Sequence, residues 1–303
     1  MADDILHVKT ITQLHQILGF EKPKHPLISV MNVEDLKDVP NMAGIRTSAD
    51  FYLISLKEHD CGMSYGRGHY DFEEGAMIFT APNQVIQTDE DQDLSNDEGW
   101  MLFFHPDLIR STTLGEKIDS YSFFSYEANE ALHLSDQEKK IIHDCVKNIE
   151  LEYNTNIDEH SQDLFVSNLE LMLNYCRRFY DRQFHTRTSQ QKDVVSQFEK
   201  HVKTYFKSED LASLGQPSVN YFAELAHLSP NYLSDLLKKE TGKNIKEHIN
   251  DTIINKAKTM LLNSSDSVSE IAYDLGFNYP HYFSRMFKSQ TGFSPAKYRE
   301  SIN

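Results

Sequence analysis

The sequence predicts an α+β chain of two domains, an antiparallel β-rich half with flanking helices followed by an all-α half. Three observations carry that prediction. The 303 residues suffice for two separate cores. Apolar residues alternate with period two between about residues 45 and 104 and recur at helical spacing elsewhere. A stretch near the C-terminus occurs twice, fifty residues apart.

The repeat is the more specific signal. Ser267 with Glu270 three residues on is a capping box, so a helix begins at Val268 and carries Ile271, Ala272 and Leu275 on one stripe. Gly276 ends it, and Pro280 suits the first turn of the next helix, where a missing N–H is harmless. That second helix buries Phe283 and Phe287, points His281, Ser284, Arg285 and Lys288 elsewhere, and closes on a left-handed Gly292. Two short helices joined by a tight turn, the second polar and basic on one side, form a helix-turn-helix, a motif whose second helix enters the DNA major groove. In the earlier copy Tyr232–Gly242 aligns with Tyr282–Gly292 without a gap, and Phe222-Ala223 aligns with Ile271-Ala272 once a residue is dropped in the turn. Ser229 and Pro230 there serve as N-cap and first helical residue. Ile245 to Leu262 is predicted as one connecting helix, with Ile249, Ile253, Ala257, Met260 and Leu261 on one side.

The runs Ser269–Asn278, Tyr282–Lys288 and Thr291–Pro295 resemble the signature of AraC/XylS-type transcription regulators, over about 110 residues from near Val194 to the end. The resemblance implies a seven-helix DNA-binding domain over 189–303, with helix-turn-helix units at about 217–242 and 267–292. Both recognition helices would face one side of double-stranded promoter DNA, in successive major grooves. Carried over position by position, the resemblance places Asn231, Ser234, Asp235 and Lys238 of the first helix toward DNA, and Pro280, His281, Ser284, Arg285 and Lys288 of the second. Asp235 is a departure, because that family often has a basic residue there. A carboxylate accepts from a cytosine amino group but is repelled by phosphates, so the second helix is expected to be the stronger reader. RNA polymerase as a further partner and a homodimer also follow from the resemblance.

The net charge of −16 stands against DNA binding only until the chain is divided. From Gln191 onward 14 Lys and Arg face 13 Asp and Glu, which leaves 16 bases and 33 acids in residues 1–190. Pro280 to Arg299 holds Arg285, Lys288, Lys297 and Arg299 with no acid, so the positive face is local. The first residues do not form a leader, no apolar run approaches membrane-spanning length, and Cys61, Cys145 and Cys176 are scattered. These features predict a cytoplasmic chain with reduced thiols and no membrane partner.

In the first half, Ile11, Leu14, Ile17 and Leu18 predict a short helix before Gly19, and Leu27 to Val30 a strand among Pro23, Pro26 and Pro40. Phe51–Lys57, Met63–Phe72, Ala76–Thr80 and Gly99–Phe104 read as further strands. Short strands at this spacing suggest a small antiparallel barrel or sandwich. In the family resembled, this half is commonly a cupin-like barrel that senses a small molecule, and Gly75–Gln84 and Phe103–Ile109 are similar to it, less specifically. The domain is expected over 1–188, with the barrel at about 41–130 and helices at about 135–185.

No metal or other cofactor is expected in that barrel. A divalent ion needs several convergent ligands, yet His69 has Arg67 where a paired histidine would stand, and Glu73 and His105 are partial substitutes. His105 reads as a structural strand-end residue. Tyr65, Arg67 and His69 share one face of a predicted strand, either lining the interior around a polar or anionic effector or facing solvent and acidic neighbours. Asp89–Glu98 is a solvated acidic loop without the spacing or glycine of a calcium site.

Helical periodicity returns at Ser135, which with Glu138 forms a second capping box before Ile141, Ile142, Cys145, Val146 and Ile149. A helix over about Asp158 to Gln183 carries Leu164, Phe165, Leu169, Met172, Leu173 and Cys176. This pair could pack on the barrel wall or on a second copy, and the resemblance favours the dimer. Arg177, Arg178, Arg182 and Arg187 suit the negative end of the helix dipole, and Thr186–Lys192 reads as a linker. The combined reading is an effector-responsive, DNA-binding transcription activator that performs no catalysis. The alternatives are a ligand-independent regulator whose barrel serves dimerisation or protein contacts, and a cupin enzyme fused to a DNA reader.

Overall fold

The strongest strand signals, Tyr52–Lys57, Ala76–Thr80 and Gly99–Phe104, become neighbours in one sheet. A computed structural model describes residues 5–36, 45–57, 63–65, 68–70, 75–87, 99–127, 130–186, 188–207, 211 and 215–300. The chain divides into two units, Met1–Thr186 and Arg187–Asn303. The first contains β1 (Leu6–Val8), α1 (Ile11–Ile17), β2 (Ile28–Asn32), β3 (Arg46–Ala49), β4 (Tyr52–Lys57), β5 (Met63–Tyr65), β6 (Gly68–Tyr70), β7 (Ala76–Thr80), β8 (Ile86–Gln87), β9 (Gly99–Phe104), α2 (Thr113–Lys117), β10 (Leu132–His133), α3 (Asp136–Tyr153) and α4 (Ser161–Thr186). The second contains α5 (Thr188–Lys207), α6 (Val219–Ala226), α7 (Pro230–Thr241), α8 (Ile245–Asn263), α9 (Val268–Asp274), α10 (Pro280–Thr291) and α11 (Pro295–Glu300).

The large sheet is antiparallel in the order β10-β7-β4-β9-β2, and a smaller one runs β1-β3-β8 with β1 parallel to β3. The predicted closed barrel is therefore corrected. Among the described residues the sheets stay separate, since β2 bonds only to β9, and β10 and β8 are two residues long, too short to carry pairing around a cylinder. The predicted single strand over 63–72 is corrected as well. Met63–Tyr65 and Gly68–Tyr70 are two antiparallel strands in which Ser64 pairs with His69 and Tyr65 with Gly68. The one-strand alternation that grouped Tyr65, Arg67 and His69 does not apply, and Arg67, Glu73, Cys61 and the acidic loop lie outside the described residues.

One face of the large sheet meets α1, where Ile11, Val8, Met31, Phe51 and Phe103 are buried together. The other face is aromatic: Tyr52 stacks on Phe104, and Phe79 meets Phe123, Phe124 and Tyr180. Ser135 and Glu138 form the predicted capping box of α3. Ile142, Cys145, Val146 and Ile149 of α3, and Phe165, Leu169, Met172, Leu173 and Cys176 of α4, are buried, and burial pushes both thiols up. Leu164, expected on that stripe, is 48% exposed. Arg182 fastens α4 to the start of α3 through Glu138 and the His133 carbonyl, each 2.7 Å away. His105 caps the turn after β9, accepting from the Asp107 amide at 3.2 Å. The predicted linker is largely helical, because α5 begins at Thr188. Among the described residues, no helix is long and apolar enough to cross a membrane, and no group of His, Cys, Asp or Glu could hold a metal.

Candidate nucleic-acid interface

Local sequence signals set the ends of both helix pairs in the second unit. Ser218 caps α6 by accepting from the Tyr221 amide, and Ser229 caps α7 by accepting from the Tyr232 amide at 3.2 Å. Ser267 and Glu270 form the predicted box at α9. Hydrogen bonds from Ser267 hold the Glu270 carboxyl below the ordinary carboxylate value. Pro230 and Pro280 occupy the first turns of α7 and α10, and Gly242 and Gly292 end them at φ 77° and 79°. Thr241 and Thr291 make the same bonds fifty residues apart. Each hydroxyl lies 2.8 Å from the carbonyl oxygen four residues back, of Leu237 or Phe287, and accepts from the amide two residues on, of Lys243 or Phe293.

The turns differ. His227 takes the left-handed position between α6 and α7 at φ 55°, a region histidine tolerates better than most side chains. Gly276 takes it between α9 and α10 at φ 78°, and a Cβ there would lie 2.8 Å from the Gly215 carbonyl carbon. The second turn therefore needs glycine twice over, for its dihedral and for a backbone that passes against it.

Leu233, Leu237, Phe283 and Phe287 point into one core with Ile249, Ile253, Ala257 and Leu261 of α8. The opposite face of each second helix carries the residues expected to meet DNA, at spacing i, i+3, i+4, i+7. On α7, Asn231 and Lys238 are exposed and Ser234 and Asp235 half-buried. On α10, His281, Arg285 and Lys288 are exposed and Ser284 half-buried, with Pro280 at the first turn. Each set shares one helix face. Arg299, counted there among the positive face, is engaged elsewhere: it donates to the carbonyls of Leu261 and Asp266 at 2.9 and 2.7 Å, tying α11 to the end of α8. Lys297 sits 5.6 Å over the Phe293 ring.

Residues 222–301 match the family model described as a helix-turn-helix domain. The C-terminal unit is an AraC-type domain. The uncharacterized HTH-type transcriptional regulator YijO of Escherichia coli is 32% identical over 132 residues, 44% of each chain. The Msm operon regulatory protein of Streptococcus mutans is 36% identical over 84 residues, 28% of this chain and 30% of that one. The C-terminal domain of AraT, a response regulator from Geobacillus stearothermophilus, aligns with 36% of this chain and 84% of its own at 30% identity and a TM-score of 0.32. The chain spans less than half the length of the curated relatives named here.

Within the AraC-type domain, sequence comparison of the repeats missed one feature. Tyr279 occupies the N-cap of α10 without a side-chain bond, and its ring groups with those of His281 and Tyr282, the last two 4.2 Å apart. Tyr232 is 6% exposed and its counterpart Tyr282 is 55% exposed. The repeat aligns two tyrosines, so identity alone gave no sign of the difference. The signal was available just upstream, where Leu228-Ser229 in one copy faces Asn278-Tyr279 in the other.

Proposed function

We propose that the chain is a sequence-specific DNA-binding transcription regulator, with α7 and α10 lying in successive major grooves of promoter DNA. The observation that carries this reading is the matched pair of helix faces, one on each copy of a fifty-residue repeat and each opposite a shared core. The helix between the copies supports the spacing. α8 has 19 residues and is roughly 28 Å long at about 1.5 Å per residue, beside grooves repeating at about 34 Å. Residues 189–303 would be the reader and 1–188 a sensor that responds to a small-molecule effector, with RNA polymerase as the protein partner on the promoter. Leu151, Ile157, Leu164 and Leu171, each 47–60% exposed around α3 and α4, support a homodimer through these helices. An effector acts only through different affinities for two states of the chain.

Footprinting of the whole chain on DNA selected from a random pool tests the reading. It should give two protected patches per chain, about 10 base pairs apart. One patch would leave a single unit as reader, and absence of selectable DNA would overturn the function.

A further inference from the structure

Above one face of the large sheet, α1 and the smaller sheet border a partly open pocket of about 140 Å³. Leu14, Ile17 and Leu18 of α1, Leu53 and Phe103 of the large sheet and Ile86 of β8 form its apolar walls. Except for Phe103 these side chains are half-buried. No lining residue carries a charge. Thr47, Ser48, Thr80 and Gln84 are the polar side chains at the wall, and Ser48 and Gln84 are engaged. Ser48 Oγ lies 2.8 Å from His7 Nδ1, and Gln84 Oε1 accepts from the Ala81 amide at 3.2 Å. A sugar or carboxylate would lose its water here and find little to replace it. The pocket's volume is close to the roughly 150 Å³ of an apolar cavity that takes up benzene or xenon.

We propose that this cavity binds a small uncharged apolar molecule, of the size of benzene or toluene, and that such a molecule is the effector of the chain. The site differs in chemistry from the polar or anionic one expected at Tyr65, Arg67 and His69. The effector role rests on the DNA-binding function proposed above, whereas the binding itself does not.

The test titrates toluene into the full chain and follows leucine and isoleucine methyl signals by NMR. Saturable shifts are expected at Leu14, Ile17, Leu18, Leu53 and Ile86, together with a rise in melting temperature that glucose and citrate do not produce. Ala49→Leu fills the cavity from β3 and Leu14→Phe from α1. Whichever variant folds should bind toluene at least tenfold more weakly. Absence of saturable shifts at these methyls overturns the site without any variant, as does unchanged toluene affinity in a folded, filled variant. Toluene that binds but leaves affinity for the selected DNA unchanged overturns the effector role. Failure to bind any DNA overturns the earlier reading instead, and the methyl shifts then still decide the cavity.

Discussion

Leu233 and Leu237 of α7 occupy the places that Phe283 and Phe287 occupy in α10, and the Thr-Gly pairs that follow make the same bonds. The flanks of the two helices are not equivalent. α7 also buries Tyr232 and Leu236, whereas Tyr282 is exposed and Met286 is half-buried. One position before Leu236 and Met286, the first copy has Asp235 and the second Arg285. The two units thus share a frame but differ in what they offer: α7 is set deeper with an acid at its face, and α10 is more open with a cation and an aromatic group at its start. A duplicated motif can keep its core and end caps while its surface is free to diverge, since only the core must satisfy a common packing.

The sharpest test of that contrast is a pair of aromatic truncations. Tyr232→Ala should lower the unfolding free energy by roughly 3 kcal/mol, as for other buried aromatic side chains. Tyr282→Ala should stay within about 0.5 kcal/mol, as for an exposed one. Urea denaturation of both variants measures this, and equal losses would break the comparison.

The turns come next. Gly276→Ala should destabilise by more than the roughly 1–2 kcal/mol that a left-handed backbone alone imposes on a side chain, because its Cβ also meets Gly215. Gly242→Ala meets nothing within 4 Å and should show the conformational part only. Thermal unfolding of the two variants would reveal whether the turn at Gly276 carries the close backbone approach that the left-handed end of α7 lacks.

At the proposed interface, Arg285→Ala should reduce discrimination between selected and random DNA by about 1–3 kcal/mol, the worth of a bidentate contact to guanine. Lys288→Ala should weaken all sequences similarly and lower the salt slope by about one contact. Asp235→Ala should hold or raise general affinity by removing an anion. Binding titrations at several salt concentrations would separate these. An intact specificity ratio in Arg285→Ala would remove α10 as reader.

The smallest expected effect concerns the caps. Because Glu270 titrates below the ordinary value of 4.5 in the folded chain, its contribution is complete above that value and fades as pH falls through the lowered one. The deficit of Glu270→Gln against the parent should therefore shrink on acidification below about pH 4.5. Ser218 has Tyr221 rather than an acid at the matching place, so Tyr221→Gln should show no such pH dependence.

Much of the second unit was legible residue by residue because its signals are local. Ser267 with Glu270, Pro280, Gly276 and Gly292 fix helix ends through bonds and dihedrals within a few residues, and the predicted starts at Val268 and Pro280 match the fold. Ala76–Thr80 and Gly99–Phe104 were equally plain, since a short apolar run bounded by turn signals is a local property of the chain. What the tertiary structure decided is what depends on distant partners. Whether the sheet closes rests on what reaches β2 and β10, and no period along the chain states that. Met63–Tyr65 and Gly68–Tyr70 pair antiparallel with each other, which alternation cannot distinguish from one long strand. Leu164 carries the same apolar signal as Phe165 and yet faces outward, and Tyr232 and Tyr282 share a motif position but not a burial. The amino-acid sequence determined where elements begin and which residues want cover. Only the assembled neighbours determined which of them receive it.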